Sequence, residues 1–167
     1  SLIPAGFAQP KEGQAFCLPC TPGSYTSQEG VSECVPCAVG RSSSNLTRTT
    51  HCDVCIAGQS QSKSGMTACL DCIPGRFQSV LEQIDCVDCA AGRSSSNLSR
   101  TSNCDVCKQG QSQSKSGMTA CLDCIPGQYQ TTEEQHSCVK CKKNTFTATS
   151  QQSSCKNCAS GQYTNSA

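Results

Sequence analysis

Apolar residues along this chain stand singly or in pairs among polar ones, and no segment sustains a helical period. Gly, Ser, Thr and Pro interrupt each stretch before an amphipathic face can build up. The pattern predicts negligible helix and short strands of three or four residues, paired as one small hairpin per repeating segment. An isolated hairpin of that size is not stable in water. Each segment therefore needs support from its neighbours or from covalent bonds.

The segment that repeats is typified by Cys72-Ile73-Pro74-Gly75-Arg76-Phe77, a polar loop, and Cys86-Val87-Asp88-Cys89. Nine C-x-x-C steps begin at Cys17, Cys34, Cys52, Cys69, Cys86, Cys104, Cys121, Cys138 and Cys155, and they contain every cysteine of the chain. A Gly stands three residues after the second Cys of most steps, with Asn144 once in its place and Gly6 at the matching point of a half-formed first unit. Gly and Asn best tolerate a left-handed backbone, so this position predicts φ > 0 in a tight turn. Where Pro precedes it, as in Pro22-Gly23, Pro74-Gly75 and Pro126-Gly127, a type II turn fits. Two residues after the Gly comes an aromatic (Tyr25, Phe77, Tyr129, Phe146, Tyr163) or a serine (Ser42, Ser60, Ser94, Ser112). The aromatics are read as small plugs beside a disulfide, with an exposed stacking surface as the alternative.

A longer repeat overlies the short one. Residues 38–89 and 90–141 align without a gap, and 58–75 equals 110–127 at every position. The organisation is then a partial first module over 1–20, eight modules over 21–158 containing the 52-residue duplication, and the start of a further module over 159–167. Uniform near-copies predict an array in which each module touches mainly its neighbours.

Composition explains what must hold such an array. Hydrophobic residues reach 35% only because 18 Cys are counted among them, and there is no Trp. Backbone ordering costs roughly 1–2 kcal/mol per residue, which this little apolar surface does not offset. Cross-links must replace the missing core, as in small secreted domains. The net charge of +1 points to neither nucleic acid nor an anionic membrane. No apolar run approaches the roughly 20 residues of a membrane span, and residues 1–10 lack the pattern of a signal peptide, so the sequence reads as a mature chain or a piece of a longer one.

The repeat narrows the cysteine pairing without settling it. One scheme is a ladder joining the second Cys of each step to the first of the next: Cys20–Cys34, Cys37–Cys52, Cys55–Cys69, Cys72–Cys86, Cys89–Cys104, Cys107–Cys121, Cys124–Cys138 and Cys141–Cys155. The rival groups steps in twos, which would pair equivalent cysteines of the two 52-residue copies differently. The ladder leaves Cys17 and Cys158 over, either because the chain continues or because Cys158 of one copy bonds Cys17 of the next.

The module Cys20-Thr21-Pro22-Gly23-Ser24-Tyr25 through Cys34-Val35-Pro36-Cys37 resembles the ephrin-receptor-like cysteine-rich repeat. It is also similar to the first half-module of tumour necrosis factor receptor cysteine-rich domains and to repeats in surface proteins of ciliates and algae. The resemblance implies a small disulfide-rich extracellular repeat in which a Cys closes a loop of this size onto the next step, as in the ladder.

The same residues bear on other chemistry. C-x-x-C is zinc-ligand spacing, but an odd number of steps does not divide into four-thiolate sites, and no metal or cofactor is expected. His51 and His136 have Asn103 and Ile84 as counterparts in the other copy, and no nucleophile–base arrangement stands out, so no enzyme activity is expected. Asn45-Leu46-Thr47 and Asn97-Leu98-Ser99 are N-glycosylation acceptors at equivalent places. Lys140, Lys142, Lys143 and Lys156 cluster near the end as a solvated face or a docking patch for an acidic partner. The fold class expected is a small disulfide-rich repeat, an elongated loop-rich solenoid. The function expected is an extracellular or cell-surface structural glycoprotein carrying covalent glycans, a stiff rod that self-associates as a fibre subunit or continues in a longer chain. A receptor stalk or a variable surface antigen is the alternative.

Overall fold

A computed structural model describes residues 2–163. Among them there is no helix, and the regular structure is a set of two-residue strands paired antiparallel. The chain forms two compact units that interleave in sequence. The first takes Ser1–Cys72, Gln78–Cys86 and Leu98–Ser102; the second takes Ile73–Phe77, Val87–Asn97 and Asn103–Ala167.

In the first unit the hairpins are Phe7–Ala8 with Leu18–Pro19, Ser24–Tyr25 with Val35–Pro36, Arg41–Ser42 with Asp53–Val54, and Gln59–Ser60 with Leu70–Asp71. Its disulfides are Cys20–Cys34, Cys37–Cys52, Cys55–Cys69 and Cys72–Cys86. In the second unit the hairpins are Arg76–Phe77 with Val87–Asp88, Arg93–Ser94 with Asp105–Val106, Gln111–Ser112 with Leu122–Asp123, Gln128–Tyr129 with Val139–Lys140, and Thr145–Phe146 with Lys156–Asn157. Its disulfides are Cys89–Cys104, Cys107–Cys121, Cys124–Cys138 and Cys141–Cys155. The strands are shorter than the expected three or four residues. The second Cys of the step ends the ladder by donating its N–H to the turn Gly, as Cys37 does to Gly23 O at 2.8 Å, and its side chain then turns inward to the disulfide.

Each hairpin starts from a tight turn. Ser24 N–H donates to Thr21 O at 3.0 Å, closing Thr21-Pro22-Gly23-Ser24 with Gly23 at φ 86°, the type II geometry. Asn144 takes φ 62° at the same place.

A second left-handed position recurs in the polar loop: Gly13, Gly30, Thr47, Gly65, Glu82, Ser99, Gly117, Glu134 and Gln151 all have φ between 52° and 73°. Sequence reading missed it because only four of the nine are Gly. It matters because this residue bonds the module before. Thr47 N–H donates to Cys20 O, Gly65 to Cys37 O, and Gln151 to Cys124 O, at 2.7–3.0 Å.

Modules are joined mainly through backbone. In the first unit Gly58 N–H donates to Gln78 O at 2.7 Å, Gln61 N–H to Gln83 O at 3.1 Å, and Glu82 N–H to Cys55 O at 2.8 Å. These bonds tie the Cys55–Cys69 module to the next. In the second unit Gly92–Gln113, Gln113–Gln135 and Gly117–Cys89 form the same set. Contact also reaches the next module but one, further than sequence reading expected. A Cβ on Gly40 would collide with the carbonyl of Glu82, and one on Gly92 with that of Glu134. The turn Gly therefore serves both a left-handed backbone and a close approach of two main chains.

The interior follows from this. The buried apolar side chains are Ala8 and cysteines, whereas Ile73, Leu122 and Ile125 are exposed. The rest of the interior is polar: Thr26, Ser43, Gln61, Gln78, Ser95, Gln113, Gln130 and Thr147 occupy one repeated position and are buried.

Candidate functional site

The described residues hold three kinds of feature that could carry function: thiols outside the ladder, exposed acceptors for modification, and charged side chains on rigid turns.

The disulfides leave Cys17 and Cys158 as half-buried thiols. Thr47 and Gly65 donate to the half-cystines Cys20 and Cys37, and Gly30 N–H donates in the same way to Ile3 O at 2.9 Å. Ile3 thus occupies the half-cystine position, fourteen residues before Cys17. The slot that would pair Cys17 in the ladder holds an isoleucine. The equivalent slot for Cys158 lies outside the described residues. The start of a further module shows in the Ala159–Gln162 turn, closed at 3.0 Å with Gly161 at φ 83°; residues 164–167 lie outside the described residues.

Asn45 and Asn97 are both exposed. Asn45 stands on the wall of an open hollow of about 770 Å³, lined also by Pro22, Leu46, Arg48 and Asp53. The Arg48 side chain is 10% exposed and donates both to the Asp53 carboxylate and to the carbonyls of Thr50 and His51. Through that hydrogen bond the guanidinium holds the Asp53 carboxyl below its ordinary range, and Arg48 itself is raised.

The aromatic and serine position faces the disulfide of the following module. Ser42 Oγ lies 3.4 Å from Cys69 Sγ, and Ser112 Oγ 3.3 Å from Cys138 Sγ. Tyr25 at this position is half-buried, and its hydroxyl meets His51 Nδ1 at 2.6 Å with ring centroids 4.9 Å apart. His136 is exposed. No group of three or more His, Cys, Asp or Glu side chains among the described residues is placed to hold a metal, and no helix there is long and apolar enough to cross a membrane.

Arg41 donates to the Glu82 carboxylate and, through Nη1, to Cys52 O at 2.9 Å; Arg93 repeats this with Glu134 and Cys104 O. These hydrogen bonds hold the Glu82 and Glu134 carboxyls below the ordinary value. The four lysines near the end are exposed.

Residues 127–167 match the family model described as tyrosine-protein kinase ephrin type A/B receptor-like. Over that stretch the chain is similar to an ephrin-receptor-like repeat. The modules before it use the same turn, hairpin and cross-link. Disulfide-rich repeats of this type are extracellular or receptor-like in character. No curated protein matches the chain.

Proposed function

We propose that this chain is an extracellular structural glycoprotein without catalytic activity, a stiff segment or subunit of a surface fibre or filament. The observation that carries the proposal is the double linkage of the modules. Within each unit a module is bonded to the next through three backbone hydrogen bonds and abuts the next but one through the turn Gly. Bending at one joint must therefore disturb two. Exposed Asn45 and Asn97 would carry N-linked glycans at equivalent places, keeping the loops soluble and resistant to proteases. Cys17, which lacks its ladder partner, would bond Cys158 of another copy.

Electron microscopy of the purified protein tests the mechanical reading. Filaments that shorten on reduction are the expected result, and short isolated particles at all concentrations would reject it. Intact mass before and after enzymatic deglycosylation tests the glycans, with two sites released. The ephrin-receptor-like match over 127–167 favours a second reading, a spacer or ligand-binding stalk of a cell-surface receptor. Isolated particles that bind a partner through one module would support that instead.

A further inference from the structure

The residue beside the half-cystine in successive C-x-x-C steps changes sign along the chain. Five consecutive steps carry Asp53, Asp71, Asp88, Asp105 and Asp123, and the next two carry Lys140 and Lys156. The carboxylates have partners inside the fold. Asp53 takes Arg48, Asp88 takes Arg76, and Asp71 and Asp123 accept from Gln59 and Gln111 at 2.9 and 2.8 Å. Asp105 is also engaged. Among the described residues, none of Lys140, Lys142, Lys143 and Lys156 is in an ion pair. After Glu134, itself held by Arg93, the chain contains no further Asp or Glu.

The same module departs from the repeat at its turn. Lys142-Lys143-Asn144 stands where other modules have Ile73-Pro74-Gly75 or Ala90-Ala91-Gly92. The turn is rigid: Thr145 bonds Lys142 O through both N–H, at 3.1 Å, and Oγ1, at 2.7 Å. Cys141 and Cys155 have Cα atoms 5.9 Å apart. With consecutive Cα atoms 3.8 Å apart, the disulfide keeps the Cα atoms of Lys140, Lys142 and Lys156 within about 14 Å of one another. Their exposure belongs to the repeat, since Asp71, Asp88, Ile73 and Pro74 are exposed at the matching places of earlier modules.

We propose that the Cys141–Cys155 module is a binding site for an anionic, sulfated polysaccharide, held by Lys140, Lys142, Lys143 and Lys156. Lysine ammonium groups are compact point charges with freely rotating donors and need no fixed fork geometry. That suits a densely charged flexible polymer. An acidic protein partner would need an apolar anchor at the centre of its contact, and here the turn has exchanged Ile and Pro for two lysines. An anionic membrane is bound through an amphipathic helix with a continuous apolar face, and the described residues contain no helix.

The test uses the full oxidised chain and heparin as probe, with the dissociation constant measured from 50 to 200 mM salt. Binding should weaken by roughly fiftyfold across that range if all four lysines are engaged. K140Q/K142Q/K143Q/K156Q should lose about tenfold or more at low salt and flatten the salt dependence. K140Q/K156Q and K142Q/K143Q should each lose part, which keeps the test valid if the quadruple variant misfolds. K63Q/K115Q, which removes two exposed lysines of other modules, should bind like the parent. No binding by the parent, equal loss in K63Q/K115Q, or undiminished binding by the quadruple variant would overturn the proposal. So would tighter binding of poly-glutamate, duplex DNA or phosphatidylserine vesicles than of heparin.

Discussion

Gln61 and Gln113 are 1% and 2% exposed, in a chain whose Ile73 is 60% exposed. The inversion has a physical basis. Gln61 Nε2 donates to Ala68 O at 2.8 Å and its Oε1 accepts from Lys63 N–H at 3.1 Å, so one side chain spans the polar loop and satisfies both its ends. Gln113 does the same with Ala120 and Lys115. A buried amide is tolerable only when satisfied in this way, and no buried side-chain polar atom among the described residues lacks a partner. Gln113→Ala leaves the Ala120 carbonyl and the Lys115 N–H unpaired and should cost about 2 kcal/mol locally. Amide exchange at Lys115 should then accelerate by roughly thirtyfold, while exchange in modules of the first unit stays unchanged. Hydropathy could not reveal this position, because Thr, Ser and Gln alternate there and all read as solvent-facing. The turn Gly was legible, since Gly and Asn recur where φ > 0 is required. Its second constraint, the approach of a carbonyl 42 residues away as at Gly40 and Glu82, left no mark beyond the Gly itself. Gly40→Ala should therefore destabilise by several times the effect of Gly13→Ala, because Gly13 has the same left-handed backbone but open space around a Cβ. Thermal unfolding of the two variants gives the comparison.

At the scale of the element, hairpin and loop have different sources of order. Two-residue strands contribute few ladder bonds, so the hairpin depends on the turn before it and the disulfide that closes it. Removing one cross-link, as in Cys107→Ser with Cys121→Ser, releases a loop of about 15 residues and should cost about 3 kcal/mol in the chain-entropy model. Limited proteolysis should then cut between residues 107 and 121 before any other loop. The loop apex depends on charge as well. Glu82 and Glu134 hold left-handed backbones at φ 59° and 58°, and each carboxylate is bonded by an arginine two modules earlier. Both carboxyls are depressed in the folded chain, first by the arginine hydrogen bond. Their stabilising contribution is therefore present above the ordinary carboxylate range and is lost as pH falls through the depressed folded values. Exchange of the Glu82 and Glu134 amides, after correction for intrinsic rates, should become less protected as pH falls below the ordinary carboxylate range. The Gly65 amide, at the same loop position but against Pro36 rather than a carboxylate, should not change. Protection that fell equally at all three would place the pH sensitivity elsewhere.

For the whole molecule, the period of the cysteines determined a great deal. An unbroken series of C-x-x-C steps excludes an inserted globular domain, and punctuation by Gly, Ser and Pro excludes helix. The low apolar content requires covalent order. These follow from composition and spacing alone because they concern what the chain lacks, and a deficit is visible without coordinates. The repeat also reduced the pairing of the cysteines to a few schemes. Which one closes was decided by the hairpin, whose pairing of Ser24–Tyr25 with Val35–Pro36 brings the Cα atoms of Cys20 and Cys34 to 5.7 Å. Three matters belonged to tertiary structure alone. One is the second left-handed turn, set by the carbonyl of a half-cystine in the preceding module. Another is the polar interior, set by the geometry of a loop that needs its own backbone satisfied. The last is contact with the next module but one, set by how closely two backbones pack around a missing Cβ. None of these is encoded by hydrophobic pattern, because each is a hydrogen bond to main-chain atoms or a steric fit against them, and those atoms are the same whatever side chain they carry.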